Sequence, residues 1–115
     1  MYLREIAELL ECEVLAGRDL LDRNFEYAFG SDLMSDVLAY VEDDTILITG
    51  LVNHQVIRTA EMLDLKAIIF IRGKEPTDEV IQLARDHEMA LLATKYTMYT
   101  SSGILYSKGL KGVSV

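Results

Sequence analysis

The stretch DTILITGLVNHQVIRTAEML, Asp44 to Leu63, decides how this chain is read. Ile46-Leu47-Ile48 is an unbroken apolar run that stops at Thr49-Gly50. An amphipathic segment follows, with Val56, Ala60 and Leu63 on one stripe at helical spacing. An alternating strand would keep one face wet, whereas a continuous apolar strand is covered on both faces. Asn53 stands where a helix N-cap belongs. The unit is therefore strand, glycine turn, helix. Gly50 is expected to take a positive φ, so that Gly50→Val would disturb the turn.

The same unit recurs along the chain. NFEYAFG is followed by the helix SDLMSDVLAYV, KAIIFIRG by the helix TDEVIQLARDHE, and MALLATK by the helix YTMYTSSGILYSKG. Strand starts recur at a spacing of about twenty residues, the span of a strand, a loop and a crossover helix before the next parallel strand. Ser31 and Thr77 join Asn53 as expected N-caps, and Val80, Ala84 and His87 lie close to a second stripe. Ahead of these units, Leu3 to Glu11 reads as a short helix, CEVLAG as a strand closed by Gly17, and RDLLDR as a polar turn. EDD at 42–44 is a helix-to-strand turn. The closing LKGVSV either frays or adds a short edge strand. The predicted fold is an α/β three-layer sandwich with a mainly parallel sheet of about four to five strands flanked by helices. The 115 residues form one domain, 1–115.

Composition narrows the function. Eleven Lys and Arg against nineteen acids leave a net charge of −8, which disfavours nucleic acid as a partner. No apolar run approaches the roughly 18–20 residues that cross a bilayer. MYLREIAELLECEVLAG mixes charges into its apolar pattern, unlike a signal peptide, so the expected location is the cytoplasm and no membrane partner is expected. The lone Cys12 has no thiol neighbour for a disulfide or a metal and reads as a small buried residue at a helix end.

In a parallel sheet the strand carboxyl ends and helix amino ends meet at one edge, where ligands bind. Four loops should gather there, FGSD, TGLVNH, RGKEP and TKYT. They place Gly30, Ser31, Asp32, Thr49, Gly50, Asn53, His54, Arg72, Gly73, Thr94, Tyr96 and Thr97 as candidate ligand-binding residues, with Lys74 and Lys95 beside them. Exposed N–H groups at helix starts, together with Arg72 and Lys74, favour a small phosphate- or carboxylate-bearing ligand.

Chemistry beyond binding is not evident. GxxxxGK followed by Ser or Thr is absent, and the Gly50 loop lacks two of the three dinucleotide-fingerprint glycines. His54 and His87 have no His or Cys partner at metal-ligand spacing, so no metal and no cofactor is expected. His87 suits a helix C-terminus. His54 opens a helix at the ligand edge without an evident nucleophile to serve. Asp32 and Asp36, four apart, read as solvent-facing acids at a helix start. Tyr99 and Tyr106, seven apart, read as one packing face of the last helix.

The chain resembles the DRTGG domain, a family related to the N-terminal domain of bacterial HPr kinase/phosphorylase. LREIAELLECEVLAG looks like that family's opening helix and strand. GSDLMSDVLAYVEDDTILITG looks like its next stretch, and LKAIIFIRGKEPTDEVIQLARDHEMALLATKYTMYTSSGILY like its closing half. The string DRTGG itself is absent, TGLVNHQ stands where many relatives carry an acidic-basic pair, and Arg72 replaces a small residue. The kinase catalytic domain of the relative, with its P-loop, has no counterpart here. The resemblance implies a regulatory module, found alone or fused to phosphotransacetylase, pyrophosphatase or kinase domains, and sensory or dimerising rather than catalytic.

Three readings follow. The first is a non-catalytic regulatory domain that binds a small anionic, phosphorylated or nucleotide-like ligand and self-associates as a homodimer, through Met34, Leu38 and Tyr40 or through the tyrosines of the last helix. The second is an interaction module for a partner protein, without a ligand. The third is a small hydrolase or transferase using His54.

Overall fold

A computed structural model describes residues 1–114. The elements follow in the order α1 (Leu3–Leu9), β1 (Glu13–Ala16), β2 (Tyr27–Gly30), α2 (Met34–Tyr40), β3 (Thr45–Thr49), α3 (His54–Met62), β4 (Ala67–Phe70), α4 (Asp78–Asp86), β5 (Ala90–Ala93), α5 (Met98–Ser107) and β6 (Lys111–Gly112). RDLLDR contains a short 3-10 turn over Arg18–Leu20. Leu21, in that polar stretch, is buried.

The six strands lie in the order β1-β5-β4-β3-β2-β6. β2 through β5 run parallel, with Leu47 beside Ile68 and Ile69 beside Leu92. β6 adds a parallel edge beside β2 through Tyr27 and Ala28, and β1 adds an antiparallel edge beside β5. The mainly parallel sheet is as expected, with one strand more than the upper count. The closing stretch resolves in favour of an edge strand, and its last residue, Val115, lies outside the described residues.

Alternation along each apolar strand explains why the runs are continuous. Ile46, Ile48, Ile69 and Leu92 pack on one face with Leu3 and Ile6 of α1, Leu10 just after it, and Leu105 of α5. Leu47, Ile68, Phe70 and Leu91 pack on the other with Val37, Val56, Ala60, Val80 and Ala84, from α2, α3 and α4. Successive side chains of a strand point to opposite faces, so each strand needs apolar residues at every position to fill both layers.

Helix ends follow a common rule. Asn53, Thr77 and Thr97 each accept the N–H three residues on, from Val56, Val80 and Thr100. At the other ends, Cys12, Leu65, Met89 and Leu110 donate their N–H back to Ala7, Ala60, Ala84 and Leu105. The residue before each of these, Glu11, Asp64, Glu88 and Gly109, is left-handed. This is the closure that releases a helix into the next strand with its terminal carbonyls satisfied.

Ser31 departs from expectation. α2 begins three residues later, and its N-cap position, Leu33, has no side-chain cap. The Ser31 hydroxyl instead accepts the Leu33 N–H at 3.0 Å, and Asp32 lies ahead of the helix. The paired helix-start acids Asp32 and Asp36 are therefore not on one helix, because Asp32 is drawn towards β3.

Candidate functional site

Because β2 to β5 are parallel, their carboxyl ends share one rim. Backbone hydrogen bonds tie neighbouring exits together: Ser31 N–H to Ile48 O, Ile71 N–H to Thr49 O, Arg72 N–H to Tyr96 O and Gly73 N–H to Thr94 O. Thr49 and Thr94 are buried and play matching parts. Each hydroxyl accepts the N–H two residues on, from Leu51 and Tyr96. Thr49 donates to Asp32 Oδ1 at 3.0 Å, and Thr94 donates to the Leu10 carbonyl at 2.6 Å.

The Thr49-Gly50 joint is not an open anion floor. The Asp32 carboxylate takes the Gly50 N–H at 2.6 Å, so the chain's own acid fills the place a ligand oxygen would need. Nor is Gly50 among the left-handed residues. Its lack of a side chain serves the Arg72 guanidinium, whose Nη2 lies 2.8 Å from where a Cβ would stand. The effect expected of Gly50→Val through φ is therefore replaced by a push against Arg72. Arg72 itself is left-handed, with φ +57°, a conformation uncommon outside glycine and asparagine. The turn is held there by the two hydrogen bonds to Thr94 and Tyr96. Asp32→Ala should cost about 1–3 kcal/mol in urea unfolding, because the Thr49 hydroxyl and Gly50 N–H lose their acceptor.

Two cavities open at the rim, on either side of the 72–75 turn. One, of about 390 Å³, is lined by Gly50, Leu51, Val52, Asn53, His54, Lys74, Thr77 and Val80. It lies at the amino ends of α3 and α4. Its lining includes the Lys74 cation and the His54 imidazole and no carboxylate; the His54 Nε2 is 3.8 Å from Glu79, an exposed acid outside the lining. The other, of about 380 Å³, is lined by Glu11, Glu13, Gly73, Glu75, Ala93, Thr94, Lys95 and Tyr96. It lies where α4 leaves β4 on one face of the sheet and α5 leaves β5 on the other, the crevice in which open α/β sheets hold ligands. Three carboxylates against one lysine make it acidic. The Tyr96 hydroxyl donates to Glu11. That bond, reinforced by the Glu11 charge, holds the phenol above its usual pKa.

The expected residues thus divide. Gly50, Asn53 and His54 line the basic cavity, while Gly73, Thr94 and Tyr96 line the acidic one. Asp32, Thr49 and Arg72 form the framework between exits. Gly30 and Thr97 stand apart: a Cβ on Gly30 would meet Met98 of α5 at 3.4 Å, and the Thr97 side chain is spent capping α5. Glu11 and Glu13 were not foreseen, because only the pairing of Glu13 with Ala93 brings the chain's start to this rim. Among the described residues no group of three or more His, Cys, Asp or Glu could hold a metal ion. Among the same residues no helix is long and apolar enough to cross a membrane.

His87 ends α4, its Nε2 3.3 Å from Glu61 Oε2. Cys12 is partly buried behind α1, and burial pushes its thiol up from 9.0 to about 12. The fold favours the neutral thiol, so stability is unaffected below pH 9. As the pH rises from 9 towards 12 the unfolded chain ionises first, and this site's contribution is lost. Iodoacetamide at pH 8 should alkylate Cys12 far more slowly in the native protein than in urea.

The family model for the DRTGG domain matches residues 5–107. No curated protein matches the chain. A similar solved structure is the regulatory region, with CBS and DRTGG domains, of Clostridium perfringens pyrophosphatase, complexed with its activator diadenosine tetraphosphate. The TM-score is 0.70 at 17% identity, covering 90% of this chain and 45% of that one. At that identity the likeness establishes the fold, and this chain spans less than half of that region.

Proposed function

The chain belongs to the DRTGG domain family, and on that footing we propose that it is a regulatory module without catalytic activity. It binds a small phosphorylated ligand at the strand carboxyl-terminal rim and self-associates. The observation that carries this reading is the cavity at the amino ends of α3 and α4. In a chain of net charge −8, its lining holds the cation Lys74 beside the imidazole of His54 and no carboxylate, and it lies at the amino ends of α3 and α4. The pyrophosphatase region supports the ligand class, since it responds to a polyphosphate nucleotide. That region holds CBS domains as well as a DRTGG domain, so the cavity carries the reading. The absence of a base–nucleophile pair at His54 supports a binding role over hydrolysis.

Self-association is assigned to α5. Tyr99 and Tyr106 are 89% and 75% exposed, so the packing face expected of them has no occupant within the chain. Gly103 between them meets nothing within 4 Å, and Met98–Ser107 carries no charge. A neutral face is where two copies, each at −8, approach with least repulsion. Met34 is buried and drops out of the interface.

The test is thermal unfolding with pyrophosphate, acetyl phosphate, ADP and diadenosine tetraphosphate. A ligand at about 100 times its dissociation constant adds about 2.7 kcal/mol. Lys74→Ala should abolish the shift. No shift from any of the four leaves the interaction-module reading in its place. Sedimentation should show a dimer that Tyr106→Glu dissociates, and a monomeric wild type removes the self-association.

A further inference from the structure

The 72–75 turn is a ridge between two cavities of opposite charge. Gly73 and Glu75 line the acidic cavity, and Lys74, between them, lines the basic one. Adjacent Cα atoms are about 3.8 Å apart, so a small molecule lying across the turn reaches both sides.

We propose that the ligand is a nucleoside phosphate that straddles this turn, with its phosphates at Lys74 and its nucleoside in the crevice between the β4 and β5 exits. The inference rests on the phosphate-binding reading above and deepens it. Two features of the crevice select the nucleoside. Its acids Glu11, Glu13 and Glu75 outnumber Lys95, which repels phosphate and accepts hydrogen bonds from donors. Ribose hydroxyls and the exocyclic amines of bases are such donors, and carboxylates are a recurrent partner of ribose hydroxyls in α/β folds. Tyr96 supplies an aromatic wall, held by its hydroxyl on Glu11, and a fixed ring is a surface on which any base stacks. The volume, about 380 Å³, falls within the range of small-molecule sites, about 300–1,000 Å³.

The arrangement also gives selectivity. Inorganic polyphosphate finds only the basic side, and a free nucleoside only the acidic side. A molecule with both ends gains from each, because the second contact forms without a further loss of translational freedom.

Calorimetric titration with ADP, pyrophosphate, adenosine and ribose 5-phosphate tests this. ADP should bind at least about tenfold more tightly than each of the other three, the ratio expected when one charge-assisted set of hydrogen bonds is missing. The double variant Glu13→Gln, Glu75→Gln, at two exposed positions, should weaken ADP and leave pyrophosphate unchanged or tighter. Lys74→Ala should weaken ADP and pyrophosphate together and spare adenosine. Pyrophosphate matching ADP, with no response of ADP to the double variant, overturns the nucleoside half and leaves the phosphate site standing. Ribose 5-phosphate matching ADP overturns the base. Failure of all four probes to bind removes the phosphate site as well.

Discussion

Replacing Phe70 with alanine is expected to cost about 3–5 kcal/mol, the range for truncating a fully buried aromatic. Phe70 is wholly buried at the end of β4, in the core layer that also holds Leu47, Val56 and Val80. Its two neighbouring strands are fixed by parallel pairing through Thr49 and Ala93, so the backbone cannot collapse into the space. Domains of this size are stable by roughly 5–15 kcal/mol, and the loss would take a large share of that. Val56 and Val80 anchor α3 and α4 to the same layer, so the basic cavity between those helices should loosen too. Urea unfolding gives the first effect. Phe70→Leu, which keeps most of the volume, should cost less than half as much. Equal costs for the two variants would mean that the layer is not packed as described.

Gly17→Ala comes next, at roughly 2–5 kcal/mol, from two separable causes. Gly17 follows β1 with φ +79°, and a Cβ there would lie 2.5 Å from Ala90 Cα and 2.9 Å from its nitrogen. Left-handed backbone costs an alanine about 1–2 kcal/mol. Overpacking adds about 1–3 kcal/mol, and here the obstacle is main chain, which no rotamer change relieves. Gly109 supplies the control. It is also left-handed, with φ +102°, but nothing lies within 4 Å of its missing side chain, so Gly109→Ala should show the conformational part alone. If the two variants unfold at the same urea concentration, the chain at Gly17 does not press against Ala90 of β5.

The parts of the fold legible in the sequence were those set by local or repetitive physics. Unbroken apolar runs such as Ile46-Leu47-Ile48 marked strands covered on both faces. Asn53, Thr77 and the helices they open were readable because a cap bonds only three residues away. Ser31 misled because its neighbour Asp32 bonds across to Thr49 and Gly50, a tertiary contact that no local pattern announces. The purpose of glycine at position 50 was hidden for the same reason, since it depends on Arg72 arriving from the next loop. The division of the rim into two cavities was beyond the sequence as well. It follows from α5 crossing to the opposite face from α4, and Met98–Ser107, nearly apolar or hydroxyl-bearing all round, does not declare which side it buries.

The strand order carries a consequence for how the molecule opens. β3 and β4 are flanked on both sides by strands joined through single crossovers, so their amides are released only when the whole domain unfolds. β1 and the two-residue β6 lie on opposite edges. Deuterium should therefore enter the chain from its two ends towards its middle, and the first amides to exchange near the rim should be those that bring Glu11 and Glu13 to it.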